Sequence, residues 1–131
     1  MVQHARGTFT VTITPQAHAE GVGEATISRM GLHKVFVGEL QGTASGQMLA
    51  VRTATQGSAG YVAMDRLTGT LQGRRGSFNL QHSGTMTRGA PDLSVTVIPD
   101  SGTEELAGIR GTLAIDIREG EHFYHFAYTF D

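Results

Sequence analysis

The sequence predicts an all-β protein: a closed eight-stranded antiparallel meander barrel with short turns and little helix. Three observations carry that prediction. Apolar and polar residues alternate with period 2 in segment after segment. Glycine fills 18 of 131 positions, about twice the ordinary usage of roughly 7%, with only three prolines and no low-complexity tract. No apolar stripe of helical period runs far enough to build a useful helix. Glycines scattered among alternating segments mark tight turns and bends rather than a flexible linker. The length suits one ordinary domain with one core, so residues 1–131 read as a single β-barrel domain.

The elements follow in chain order. In "GTFTVTIT", Phe9, Val11 and Ile13 point one way while Thr8, Thr10 and Thr12 point the other. "ATISRMGLHKVFVG" (25–38) is long enough for a strand with a bend at Gly31. "GQMLAVRT" (46–53) and "AGYVAMDRLTGTL" (59–71) come next, separated by the turn-like "TQGS". The tight "QGRRG" turn leads into "RGSFNLQHSGTM" (75–86). "DLSVTVI" (92–98), "GTLAIDI" (111–117) and "HFYHFAYTF" (122–130) complete the set. Strands in meander order can close into a barrel, which removes the exposed edges that invite aggregation. A two-sheet sandwich fits the same pattern.

The connection "PDSGTEELAGIRG", from Pro99 to Gly111, has the glycine content of a phosphate-cradling loop. A loop of that type needs a Lys-Ser/Thr pair after its last glycine and a helix behind it. Here "GTLAIDI" follows, which reads as a strand, and Glu104 and Glu105 put negative charge where a phosphate would sit. The segment is therefore expected to be a turn. Ser101 and Glu104 have the spacing of a capping box, with one short helical turn over "TEELA" that stops at Gly108, and Gly111 opening the next strand.

Composition narrows the function. The net charge is -2, the basic residues cluster only at Arg74-Arg75, and aromatics make up 7%. Nucleic-acid binding needs a stripe of cations or grouped stacking rings, so no nucleic-acid partner is expected. The absence of cysteine removes thiol nucleophiles, thiolate metal sites and disulfides together. "MVQHARGTFT" has no apolar core of signal-peptide length, and no run approaches a membrane span. The expectation is a soluble cytoplasmic protein without a membrane partner.

"GSFNLQHSGTM", "SVTVIPDSGTEELAGIRGT" and "FYHFAYTFD", with "SAGYVAMDRLTGTLQGRRG" and "KVFVGELQGTASGQMLAV", resemble a small bacterial family of uncharacterised proteins in the allene-oxide-cyclase-like barrel superfamily. The likeness covers nearly the whole chain. The Gly102–Gly111 pattern is also similar to the Gly-Thr-Gly-x-Phe-x-x-x-x-Gly turn of plant allene oxide cyclases and dirigent proteins, with Glu104 in place of the second glycine and Leu106 in place of the phenylalanine. That turn is a scaffold feature and transfers no catalytic role. The resemblance implies a barrel whose lumen holds a small apolar molecule, assembled as a homo-oligomer (dimer or trimer). It also implies work without cofactors, by shaping a reactive intermediate.

Alternate side chains of a barrel strand face inward and outward, so parity sorts the candidate residues. One face collects Val62 and Met64, Phe78 and Leu80, Leu93 and Val95, Leu113 and Ile115, Tyr124 and Phe126. Arg66 and His82 share that parity, while Tyr61, Asp65, Ser77, Asn79, Gln81 and Asp116 fall on the other. A single bulge would reverse the assignment. The apolar face is assigned to the lumen, because a monomeric barrel must fill or dry its interior. Met64, Phe78, Leu80, Tyr124 and Phe126 are then the expected ligand contacts.

His82 is the first catalytic candidate: an imidazole among apolar neighbours is expected to stay neutral and serve as a base. The alternative is a histidine hydrogen-bonded into the barrel wall. Arg66 is the second, as a holder of a carboxylate or enolate in a dry lumen, or else as half of a structural ion pair. Asp65 could partner Arg29 or Arg52 across strands. Tyr61, Tyr124 and Tyr128 could donate to a ligand oxygen or form rim aromatics. No metal site is expected, since His122 and His125 face opposite sides of a strand and no H-x-H pair occurs. No serine sits in a nucleophile motif. The function that follows is a barrel binding a small apolar molecule in its lumen, acting as a cofactor-free isomerase or cyclase by confinement with acid–base help. The alternative is a non-catalytic carrier or structural oligomer.

Overall fold

The structure, a computed structural model, describes residues 1–17 and 27–130. Its strands are β1 (Gln3–Gln16), β2 (Ile27–Gly38), β3 (Leu40–Arg52), β4 (Ala59–Leu71), β5 (Arg74–Thr87), β6 (Ala90–Val97), β7 (Arg110–Arg118) and β8 (Glu121–Thr129). Each pairs antiparallel with the next, and β1 pairs with β8, so the sheet is a closed barrel in meander order. Positions 25 and 26 of the expected second strand lie outside the described residues.

Local chemistry sets the connections. Three hairpins turn on Gln72-Gly73, Arg88-Gly89 and Glu119-Gly120, with φ of 45° and 90°, 46° and 92°, and 52° and 80°. Positive φ at both central residues gives the two-residue turn whose twist matches the flanking strands, and glycine at the second position makes it cheap. β3 begins at Leu40, six residues before the expected start at Gly46. Its first half, "LQGTAS", turns Gly42 and Ala44 inward, and such small residues give no apolar alternation to read.

The barrel is packed at one end and, among the described residues, open at the other. Phe9, Phe36, Leu40, Leu67, Leu71, Phe78, Leu80, Val97, Leu113, Phe126 and Tyr128 fill the closed end as one cluster. The Phe78 and Phe126 rings stack with centroids 5.6 Å apart. The Tyr124 hydroxyl accepts from Leu40 N at 2.9 Å and reaches the carbonyls of Val37 and Leu40 at 3.0 Å, bracing the β2–β3 corner.

The connection between β6 and β7 seals that end. Those two strands pair only at Thr96 and Thr112, so the lower half of β5 needs other partners. Residues 98–109 supply them: Ile98 N donates to Asn79 O, Thr103 N donates to Ser77 O, and Ser77 N donates to Thr103 Oγ1. Leu106 and Ile109 from this segment are fully buried. The expected helical turn is one 3₁₀ turn, Glu104–Leu106, but the capping box does not form. Ser101 Oγ instead donates to Ile98 O at 2.7 Å and accepts from Asn79 N at 3.0 Å.

Candidate functional site

Where the packed end gives way to the open end, three charged or titratable side chains meet inside the barrel. Lys34 projects inward from β2 between Leu32 and Phe36, Asp65 from β4 between Ala63 and Leu67, and His82 from β5 next to Leu80. Lys34 Nζ donates to Asp65 Oδ2 at 2.7 Å. His82 Nε2 lies 3.4 Å from the same oxygen and 3.4 Å from Lys34 Nζ. The side chains of Lys34 and Asp65 are 8% and 0% exposed, so the pair is held away from bulk solvent. A buried charge needs such a partner, since desolvation alone would neutralise it.

The backbone makes room for this group. Asp65 stands opposite Gly46, where an added Cβ would strike the Asp65 side chain and the Met64 carbonyl. Gly84 does the same for the Tyr61 ring, which otherwise could not lie flat on β5. Burial by itself pushes the Asp65 carboxyl up; the hydrogen bond from His82 and the charge and hydrogen bond of Lys34 outweigh it and hold it below the ordinary 3.8. Burial, then the negative charge of Asp65, push the Tyr61 hydroxyl up, so it stays protonated at neutral pH. Asp65 Oδ1 is buried without a hydrogen-bond partner among the described residues.

Above the cluster the lumen opens. A cavity of about 220 Å³ is lined by Lys34, His82, Tyr61 and apolar residues including Phe9, Leu32 and Ile115. It shares Met48, Tyr61, Leu93 and Ile117 with an outer, almost wholly apolar recess of about 390 Å³. His122 stands on the inner cavity with its ring 5.1 Å from that of Phe9. Asp65 lies beneath, touching the cavity only through Lys34 and His82. His82 uses Nε2 on that partnership, which leaves Nδ1 as the ring nitrogen without a hydrogen bond among the described residues. With the proton on Nε2, facing the carboxylate, Nδ1 presents a lone pair to the lumen.

The structure sorts the residues singled out from the sequence. His82 and Tyr61 line the cavity. Phe78, Leu80, Tyr124 and Phe126 do face inward, but they belong to the packed core below it, and the Tyr124 hydroxyl is taken up by backbone. Arg66 and Met64 require correction: both point outward from β4, with Met64 56% exposed and Arg66 donating to Ser77 Oγ at 3.2 Å. The parity error has a physical source. Val62 and Met64 are bulkier than Ala63, but the inward set of β4 is Tyr61, Ala63, Asp65, Leu67 and Leu71. Asp65 pairs with Lys34 rather than with Arg29 or Arg52; Arg29 binds Gln47 Oε1 on the outer wall instead. Sequence reasoning missed Lys34, although "LHKVF" places a lysine at the parity of Leu32 and Phe36. His122 faces the lumen and His125 faces out, where its Nε2 meets His4 Nδ1 at 2.8 Å.

These features define a class of protein: a closed eight-stranded antiparallel barrel, dry at one end, with a Lys–Asp–His cluster on the floor of its open half. The chain matches the protein family of unknown function DUF3224 over residues 5–128 and belongs to it. It is similar to a crystal structure of a protein of unknown function from that family, from Shewanella oneidensis MR-1, with 47% identity and a TM-score of 0.92. The match covers 100% of this chain and 98% of that one. No curated protein matches the chain. Among the described residues, no helix is long and apolar enough to cross a membrane.

Proposed function

We propose that the open half of the barrel binds a small apolar molecule and acts on it as a cofactor-free isomerase or cyclase, in the manner of allene-oxide-cyclase-like barrels. One observation carries this reading: a buried Lys34–Asp65–His82 cluster forms the floor of a largely apolar chamber, with Tyr61 and His122 on its wall, that opens at its top among the described residues. An apolar chamber with a few convergent polar groups is the usual form of a small-molecule site. A buried ion pair with an unpaired carboxylate oxygen is a poor way to gain stability, since hydrophobic packing of equal volume does as well or better. His82 supplies the acid–base group, and Lys34 takes the oxyanion role that Arg66 cannot fill from the outer wall.

The test is a thermal-shift screen of fatty acids, oxylipins, terpenoids and polyketide fragments, followed by product analysis on every hit. A ligand at roughly a hundred times its Kd adds about 2.7 kcal/mol to the folded state. A hit whose product forms with wild type and not with His82→Gln supports an enzyme. Binding without turnover supports a carrier.

A structural oligomer is the second reading, favoured by the outer wall of β3 and β4. Leu49, Val62 and Met64 are 47%, 53% and 56% exposed, and Val62 stands directly opposite Leu49. A second copy of this chain would cover them. Light scattering of wild type against Met64→Glu decides it: an assembly that Met64→Glu dissociates supports the reading, and a wild-type monomer ends it.

A further inference from the structure

We propose that the ligand is a neutral carbonyl compound, its oxygen held by Lys34 Nζ and the Tyr61 hydroxyl and its α-carbon set against His82 Nδ1, and that the barrel moves a proton on that carbon. The inference rests on the open half being a ligand site and names the chemistry of its head group.

Three groups with complementary proton roles face one cavity. Lys34 lines the cavity and spends one of its three N–H donors on Asp65; its Nζ also lies 3.4 Å from His82 Nε2, and a third donor remains for a ligand. The Tyr61 hydroxyl, on the same cavity, has no hydrogen-bond partner among the described residues. In the tautomer with its proton on Nε2, His82 offers an Nδ1 lone pair. Two donors and a base around an apolar chamber suit a carbonyl oxygen with an acidic C–H beside it.

Charge excludes the obvious competitor. Asp65 already neutralises Lys34 at 2.7 Å. A carboxylate or phosphate head would bring an uncompensated negative charge into a desolvated space that already holds Asp65. A neutral carbonyl avoids that cost in the ground state, and Lys34 stabilises the negative charge that appears on its oxygen only as the proton leaves.

The step balances without a co-reactant. His82 Nδ1 takes the α-proton, the C–H electron pair becomes a C=C bond, and the carbonyl π pair moves onto oxygen. The resulting enolate oxygen rests on Lys34 N–H and Tyr61 O–H. The imidazolium then returns the proton to the same carbon or, in a β,γ-unsaturated ketone, to the γ-carbon, which shifts the double bond into conjugation. One C–H bond breaks and one forms, and nothing is oxidised or reduced. Asp65 does not touch the ligand; it is a positioning residue that fixes the His82 tautomer and the Lys34 ammonium.

Methyl nonyl ketone and decanoate, matched in chain length, test this with the full chain. Two measurements need no variant: the thermal shift with each compound, and loss of the ketone α-proton signal in D2O by NMR. The ketone is expected to raise the midpoint at concentrations where decanoate does not, and its α-protons to exchange faster than in buffer with free imidazole. His82→Gln should still bind the ketone but lose about 100-fold or more of the exchange rate, with a smaller loss for Tyr61→Phe. Asp65→Asn should displace the pH profile of exchange, which a purely structural role would leave in place; among the described residues, the charged and titratable groups on or beneath this cavity are Lys34 from β2, Asp65 and Tyr61 from β4, His82 from β5 and His122 from β8. Ketone binding without exchange, or tighter binding of decanoate, overturns the inference and leaves the ligand chamber standing. If neither compound binds, both fall.

Discussion

Lys34 carries a charge at a depth where a charge survives only with a partner, and that fixes what its removal must do. Lys34→Met leaves the Asp65 carboxylate buried with His82 alone, and breaking a buried pair in this way costs about 3–5 kcal/mol. Arg66→Ala, on the outer wall, should change stability by less than about 1 kcal/mol. Urea unfolding of the two variants at neutral pH compares them directly; equal losses would remove the distinction between inner and outer β4. Asp65 adds a pH signature. Its folded carboxyl sits below 3.8, so the stability it contributes is complete above that unfolded value and is lost as pH falls through the lower folded one. From 3.8 downward, stability should fall more steeply for wild type than for Asp65→Asn. At this scale His82 was legible because it alternates with Phe78 and Leu80, two large apolar residues. Lys34 and Asp65 obey the same parity rule, but a charged residue on an apolar stripe reads as an exception until its partner, a distant residue brought near by barrel closure, is in view.

The segment between β6 and β7 shows what an element can do when its neighbours stop pairing. β6 ends at Val97, and residues 98–109 take over the β5 edge with side-chain oxygens where a strand would use carbonyls. Thr103 Oγ1 accepts from Ser77 N at 3.0 Å and meets Ser77 Oγ at 2.8 Å. Thr103→Val keeps the volume and removes the hydroxyl, stranding a buried N–H at a cost of about 1–3 kcal/mol. Hydrogen exchange should show faster loss of protection at the Ser77 amide, with the β2–β3 ladder unchanged; uniform loss across the barrel would mean the segment has no separate role. The sequence placed this turn correctly, since glycine spacing and the strand after it are local facts, although the helical turn ends at Leu106 with Ala107 as its C-cap rather than at Gly108. It misplaced the Ser101 hydrogen bonds, because Asn79 competes for that hydroxyl from a strand 22 residues away. Strand boundaries failed for a similar reason at β3, where the inward positions after Leu40 are the small Gly42 and Ala44, and a side chain at Gly42 would strike the β4 backbone.

The whole barrel is two machines end to end, one built for stability and one for access. Closure of β1 on β8 joins the first and last strands, and the seam between β6 and β7, paired only at Thr96 and Thr112, is the one weak join among the described strands, so the interior largely decides how firmly the fold holds. That interior is uneven: Phe126 is 0% exposed among stacked rings, while Ile117 on the far rim is 61% exposed although it faces the lumen. A barrel of eight strands is wide enough either to fill with side chains or to hold one small ligand, and this one divides its length between the two. The division predicts a crossed pair of effects. Phe126→Ala should cost about 3–5 kcal/mol of stability, with ligand affinity kept in the fraction that remains folded, because Phe126 lies below the Lys34–Asp65–His82 floor. Ile117→Ala should leave stability within about 1 kcal/mol, since little area returns to water, yet weaken any apolar ligand that must pass and rest on the rim. Chemical unfolding gives the first quantity and ligand titration the second. Equal destabilisation by both substitutions would mean that the rim collapses inward in solution, and a collapsed rim leaves no chamber for the cluster to serve.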